Sequence, residues 1–135
     1  MVAKGSRVTV VLAAMLVASV GPTAQADPGV KFFHSPSGNI SCEIDYQRGP
    51  GNPDSAYCVS ADPPQHVSMN PEGVLTVCKG VSCMSNGPID SVNVPYGQTT
   101  GLGPFTCSSE VSGMTCTVGS GRGFTISRSG ITPVG

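Results

Sequence analysis

The stretch PFTCSSEVSGMTCTVGSGRGFTISR, residues 104–128, decides the fold because it reads as three short strands joined by two turns. Side chains alternate between the two faces of a strand, so a pairing register assigns every residue to a face. Placing Cys107 opposite Cys116 makes the first turn at residues 110–113 and gathers six side chains on one face. These side chains are Phe105, Cys107, Ser109, Met114, Cys116 and Val118.

The second turn obeys the same register. A three-residue loop at residues 119–121 sets Phe124 opposite Cys116. It also sets Ile126 opposite Met114. One register therefore satisfies both turns, the cysteine pair and the apolar face, which predicts an antiparallel meander held by a disulfide.

The opposite face of this meander carries a row of hydroxyl side chains. They belong to Thr106, Ser108, Thr115, Thr117, Thr125 and Ser127. Such an array can hydrogen-bond a glycan or a cell-wall polymer, and we take these residues as the candidate binding surface. Threonine is also an ordinary residue on solvent-facing strands, so the pattern alone does not separate binding from solvation.

The N-terminal segment has the features of a secretory signal peptide. Two basic residues precede a 13-residue apolar run at positions 8–20, and the small residues of Ala-Gln-Ala end at Ala26. That run is shorter than the roughly 20 residues that cross a bilayer as a helix. We predict that residues 1–26 are a signal peptide, and that residues 27–135 form one exported domain without a stable membrane anchor.

Charge argues against nucleic acid as a partner. Two of the seven basic residues lie in the predicted signal peptide, so five basic and eight acidic residues remain, a net charge near −3. Five basic residues are too few to form a basic patch that could bind phosphates by counterion release. We predict no nucleic-acid partner.

All six cysteines follow the predicted signal peptide. An even number of cysteines in a small exported chain indicates a disulfide scaffold, although six cysteines allow 15 pairings. The hairpin registers favour sequence neighbours, namely Cys42–Cys58, Cys78–Cys83 and Cys107–Cys116. Their spacings are not those of zinc sites, and we predict neither a metal nor a cofactor. By closing their loops, these three disulfides, in the order given, would stabilise the fold by roughly 3, 2 and 2.5 kcal/mol.

The remaining chain also reads as strands. The 18 glycines and 12 prolines of the whole sequence are spread along it and leave little room for helices of average length. Residues 39–48 alternate with period two, and residues 30–34 precede them as a hairpin partner that brings Phe33 near Ile40. Further short strands are predicted at 56–60, 74–78 and 91–94, and a proline-containing loop along one edge at 61–72. The expected fold is an all-β antiparallel sandwich or small barrel of about eight short strands.

The candidate catalytic groups are few. Glu43 and Asp45 share a strand face about 6–7 Å apart, a pair that could hydrolyse a glycosidic bond or bind calcium with Asp54. The solvated face of a strand is the simpler explanation. His34 is expected to face water beside Ser35 at a hairpin end. His66 falls in the predicted loop, and no GxSxG motif surrounds any serine.

Several motifs together resemble a known family. They are FxSPSGNIxC at residues 33–42, PYGQ at 95–98, GPFTC at 103–107, SGMTCT at 112–117 and GFxxSR at 123–128. The chain is similar to a family of small exported actinobacterial proteins, many of them mycobacterial, of uncharacterised function. The resemblance supports export and the first and last disulfides, and it implies no catalytic residue. The chain departs from the family pattern at residues 59–90, where Cys78 lies close to Cys83.

We therefore expect a secreted or cell-envelope binding domain rather than an enzyme. Its partner would be a protein or a glycan of the envelope or of a host. The alternative is a small envelope hydrolase that uses acidic residues such as Glu43 and Asp45. The identity of the ligand and the oligomeric state do not follow from the sequence.

Overall fold

The computed structural model describes residue 5, residues 29–85 and residues 90–135. Apart from Gly5, the predicted signal peptide at residues 1–26 lies outside the described residues. The structural statements below concern the described ranges.

The described chain forms eleven strands and one 3₁₀ turn. The strands are β1 (Val30–His34), β2 (Ile40–Asp45), β3 (Ser55–Ser60), β4 (Gln65–Met69), β5 (Leu75–Lys79), β6 (Val92–Asn93), β7 (Thr99–Leu102), β8 (Phe105–Glu110), β9 (Gly113–Thr117), β10 (Gly123–Ser127) and β11 (Gly130–Val134). The 3₁₀ turn covers Val81–Cys83. Short strands with turns between them are what the even spread of glycine and proline predicts.

These strands form two sheets. The six-stranded sheet has the order β5-β4-β3-β2-β1-β6, and the five-stranded sheet has the order β11-β10-β9-β8-β7. Neighbouring strands are antiparallel except for the short β1–β6 pair, which is parallel. The two sheets pack face to face over one apolar core, which confirms the predicted all-β sandwich.

The core consists of buried apolar residues, most of which lie on the inward faces of β1–β4 and β8–β10. Its members are Phe33, Ile40, Cys42, Ile44, Ala56, Cys58, Val67, Met69, Val94, Phe105, Cys107, Met114, Cys116, Val118, Phe124 and Ile126. Along β2 buried and half-buried residues alternate strictly. This alternation follows from the period of the strand, because every second side chain points to the partner sheet.

All three predicted disulfides are confirmed. Cys42–Cys58 lies on the inner face of the six-stranded sheet, and Cys107–Cys116 lies on the inner face of the five-stranded sheet. The two bonds meet at the centre of the core, where Sγ of Cys58 is 3.8 Å from Sγ of Cys116.

The predicted register of the C-terminal meander is also confirmed. Cys107 lies opposite Cys116, Phe124 lies opposite Cys116, and Ile126 lies opposite Met114. In the N-terminal hairpin Phe33 lies opposite Cys42, so Ile40 is its diagonal neighbour on the same face. The β1–β2 hairpin and the β8–β10 meander both lie in the interior of their sheets, with a neighbouring strand on each side.

The prediction of an edge loop at residues 61–72 is wrong. Residues Gln65–Met69 form β4, which lies between β3 and β5 inside the six-stranded sheet. The prolines of this segment stand outside the strand, and β4 itself alternates between buried and half-buried side chains. Strands β7 and β11 are further strands that the sequence pattern does not predict.

Candidate functional site

The outer face of the five-stranded sheet carries every hydroxyl residue of the predicted binding surface. Each of these residues is adjacent in sequence to a core residue of β8, β9 or β10 and points to the opposite side. The edge strands add Thr99 of β7 and Thr132 of β11, which the sequence reasoning missed because it did not identify those strands. We call this outer surface of β7–β11 the hydroxyl face.

Five of these residues stand directly opposite one another across the whole sheet. The row is Thr99, Ser108, Thr115, Thr125 and Thr132. Neighbouring strands lie about 4.8 Å apart, so the row is about 19 Å long. The Oγ1 atoms of Thr115 and Thr125 are 2.7 Å apart and share a hydrogen bond. Thr106 and Thr117 form a second, shorter row beside it.

Glycines occupy most of the other outward positions. They are Gly101 of β7, Gly113 of β9, Gly123 of β10 and Gly130 of β11. A Cβ at Gly123 would overlap the carbonyl oxygen of Cys116, and a Cβ at Gly113 would overlap that of Ile126. Close approach of the strands therefore requires glycine at these two positions. The remaining outward positions hold Glu110 of β8 and Val134 of β11.

A cleft with a volume of about 120 Å³ opens at one end of the sandwich. Its walls are the β1–β2 turn of one sheet and the β8–β9 and β10–β11 turns of the other, with Tyr96 beside them. Residues from most of the sequence motifs that mark the family resemblance line it. None of His34, Glu43 or Asp45 lines this cleft.

The acidic pair lies elsewhere, on the outer face of the six-stranded sheet. Nη1 of Arg48 is 2.8 Å from Oδ1 of Asp45 and 3.9 Å from Oε1 of Glu43. The hydroxyl of Tyr57 donates a hydrogen bond to Oε2 of Glu43. Burial raises the pKa of Glu43 above its ordinary value. Burial and the bond to Glu43 also raise the pKa of Tyr57. The two carboxyls are thus held by Tyr57 of the neighbouring strand β3 and by Arg48 of the loop that follows β2.

The calcium interpretation finds no support in the geometry of Asp54. Its Oδ1 accepts a hydrogen bond from the backbone N–H of Gln47 at 2.8 Å. Among the described residues, the group of at least three metal-ligand-type side chains that converges consists of Cys42, Cys58 and Cys116. Their sulfurs are all in disulfides, so they are not available as thiolate ligands.

The histidines differ from their predicted settings. His34 is half-buried, and its Nδ1 lies 2.6 Å from Oγ of Ser91 rather than facing water beside Ser35. His66 lies on β4, where its ring stacks on Tyr57 with 5.2 Å between centroids. Burial lowers the pKa of His66. A serine nucleophile needs a base that a third group orients, and the described contacts of His34 include no carboxylate.

The disulfides also indicate a compartment. Three disulfides in one small domain are typical of oxidising, extracellular surroundings. Within the described ranges, no helix has the length and apolar character needed to cross a membrane. Comparison of the chain with protein-family models, with curated proteins and with solved structures finds no match.

Proposed function

We propose that the chain is a secreted or cell-envelope domain that binds a glycan through its hydroxyl face without modifying it. The observation that carries the proposal is the row of five hydroxyl residues across all five strands, with glycine at most of the outward positions that carry no hydroxyl. Export is supported by the signal-peptide features, the three disulfides and the resemblance to small exported actinobacterial proteins.

The chemistry of the face favours a glycan over a protein. A hydroxyl both donates and accepts hydrogen bonds, as do the hydroxyls of a sugar. The centres of protein interfaces are instead enriched in aromatic residues, methionine and arginine. No outward position of β7–β11 holds any of these residue types. Lysine and arginine are absent from these strands, which disfavours nucleic acid as well.

The small free energy of each hydrogen bond favours a polymeric ligand. A neutral hydrogen bond contributes about 0.5–1.5 kcal/mol net, whereas millimolar affinity already requires about 4 kcal/mol. Several hydroxyls must therefore engage one ligand at once. The row and its neighbour Thr106–Thr117 offer them at regular intervals, which suits a chain of repeated hydroxyl-bearing units.

Co-sedimentation with insoluble polysaccharides tests the proposal. The exported chain, purified in oxidised form, is mixed with bacterial cell wall, chitin and cellulose, and the bound fraction is measured. The double substitution Thr115→Val/Thr125→Val keeps side-chain shape but removes two hydroxyls, and we expect about tenfold weaker binding. Thr76→Val, at an exposed position of β5 in the other sheet, is the matched control and should bind as the wild type does.

Equal retention of the double variant and the wild type would contradict a role of the hydroxyl face. Failure of the wild type to bind any of the polysaccharides would contradict glycan binding itself. Release of soluble sugar during the assay would contradict binding without modification.

The acidic pair supports a competing hydrolase. Burial raises the pKa of Glu43 while Arg48 pairs with Asp45. Two carboxyls in unlike settings are what a general acid and an ionised partner require. Against this, neither carboxyl lines the cleft, and Tyr57 already binds Glu43. Release of soluble sugar that is abolished by Glu43→Gln would favour the hydrolase.

A further inference from the structure

The cleft at the end of the sandwich has the size of a single small ring. Its volume is about 120 Å³. An engineered cavity of about 150 Å³ holds benzene, whereas sites for drug-sized ligands measure about 300–1,000 Å³. The cleft therefore admits one ring-sized group of a ligand, and the remainder of that ligand must lie outside it.

Serine hydroxyls held in position by hydrogen bonds line the cleft. Ser35 is only 3% exposed, and its Oγ accepts a hydrogen bond from the N–H of Ile40 at 3.2 Å. The same Oγ lies 3.1 Å from Oγ of Ser37. On the opposite wall, the N–H of Ser129 donates to Oγ of Ser127 at 3.1 Å. Because these hydroxyls are already ordered, a ligand that binds them incurs little further entropy cost.

The wall of the cleft also carries two charges of opposite sign. Arg128 and Glu110 both line it and are both exposed. The ion pairs among the described residues belong to Arg48, so neither of these side chains is neutralised by a protein partner there. Tyr96, which is 42% exposed, adds an aromatic ring with a phenol.

This combination fits a neutral sugar ring better than other small groups. Glu110 would repel an anion, and Arg128 would repel a cation. An apolar ring would take the serine hydroxyls and the two charged groups out of water without hydrogen-bonding them in return, which is costly. A sugar ring offers acceptors to the guanidinium, donors to the carboxylate and both to the serines.

The cleft is continuous with the hydroxyl face. The side chains of Glu110 and Ser127 point outward from the five-stranded sheet, and both residues also line the cleft. Along β8 the outward positions are Thr106, Ser108 and then Glu110, about 6.7 Å apart from one to the next. A ligand that follows the strands over the face therefore reaches the cleft at their end.

We propose that the cleft binds the terminal sugar residue of the glycan held by the hydroxyl face, so that the domain recognises chain ends. This inference rests on the proposed function, and its test separates the two.

The first measurement is an NMR titration of the oxidised, isotope-labelled chain. The probes are the methyl glycosides of glucose, galactose, arabinose and N-acetylglucosamine. At least one is expected to shift the amide signals of the three turns around the cleft, at residues 35–40, 110–113 and 127–129. Arg128→Met should weaken that binding about tenfold, because a hydrogen bond to a charged group is lost. Arg122→Met, an exposed arginine in the turn at the other end of the sheet, should leave it unchanged.

The second measurement counts chain ends. Partial acid hydrolysis of the retained polysaccharide raises the number of ends per unit mass. The amount of wild-type protein bound per unit mass of polysaccharide should rise with the number of ends. The Arg128→Met variant should show a smaller rise. The amide spectrum of each variant, unchanged away from the substitution, verifies that it is folded.

The outcomes are distinct. Binding to the polysaccharide with no shift at the cleft, or with a capacity independent of the number of ends, would overturn the inference and leave the proposed function standing. Shifts at the cleft without retention on any polysaccharide would support the sugar site in the cleft and overturn the hydroxyl face as the binding surface. No shift and no retention would overturn both.

Discussion

The inner face of each sheet carries one cross-strand disulfide among apolar side chains, whereas the two outer faces have little in common. The six-stranded sheet displays charged and aromatic groups around Glu43, with Arg48, Tyr57 and His66 close to it or to one another. The five-stranded sheet displays hydroxyls and glycines. Burial selects the residues of both inner faces in the same way. The residues of the outer faces are not selected by burial, so the difference between these faces reflects what each of them contacts.

The largest expected effect tests the similarity of the inner faces. Replacing either buried disulfide by a pair of alanines should lower the free energy of unfolding by about 3 kcal/mol or more, since an entropic constraint is lost and a cavity is left. Cys78→Ala/Cys83→Ala removes an exposed bridge over a sequence separation of only 5 and should cost about 2 kcal/mol or less. Urea unfolding of the oxidised proteins measures all three. Equal losses of unfolding free energy in the three variants would contradict the central role of the two buried disulfides. Full reduction of all three disulfides should unfold the chain.

A second prediction concerns the glycines that distinguish the hydroxyl face. Gly123→Ala places a Cβ against the carbonyl oxygen of Cys116 and should destabilise the fold by about 1–3 kcal/mol. Gly119→Ala is the matched control, because nothing lies within 4 Å of its added Cβ. It should stay within about 0.5 kcal/mol of the wild type. Urea unfolding compares the two, and similar values would show that glycine is not required for the close approach of β9 and β10.

A third, smaller effect concerns the charged outer face. Burial raises the pKa of Glu43 above 4.5, so the folded state binds this proton more tightly than the unfolded state does. The contribution of this group to stability is present below pH 4.5 and is lost as pH rises through the folded-state pKa. Glu43→Gln should therefore gain stability relative to the wild type as pH rises from about pH 4 to about pH 7. Urea unfolding across that pH range measures the effect, and Glu72→Gln, at an exposed position, is the control. A stability difference between Glu43→Gln and the wild type that stayed constant with pH would refute the prediction.

The smallest effect is the titration of His66. Burial on β4 disfavours its charged form, so its pKa lies below the ordinary 6.5. Its contribution to stability is present above pH 6.5 and is lost as pH falls through the folded-state pKa, opposite in sign to that of Glu43. NMR titration of the ring signals measures the midpoint, with the same chain unfolded in urea as internal control. A folded midpoint at or above the unfolded one would contradict the burial of this ring.

Part of this structure follows from patterns that act over a few residues. The register around Cys107 and Cys116 was predictable because two turns, one apolar face and one cysteine pair all require the same alignment. Strand β4 was not predictable in the same way, since prolines flank it on both sides and it is only five residues long. The hydroxyl positions of β8–β10 follow from alternation, yet their continuation to Thr99 and Thr132 required knowing which strands pair at the sheet edges.

By itself the sequence determined the hairpins, their facing residues and the three disulfides, because alternation and turn chemistry operate between close neighbours in the chain. The tertiary structure alone decided that the two buried disulfides touch, that His34 meets Ser91, and that turns near residues 37 and 128 converge on one cleft. These contacts join segments far apart in sequence. They depend on how two complete sheets pack, and no local pattern encodes that packing.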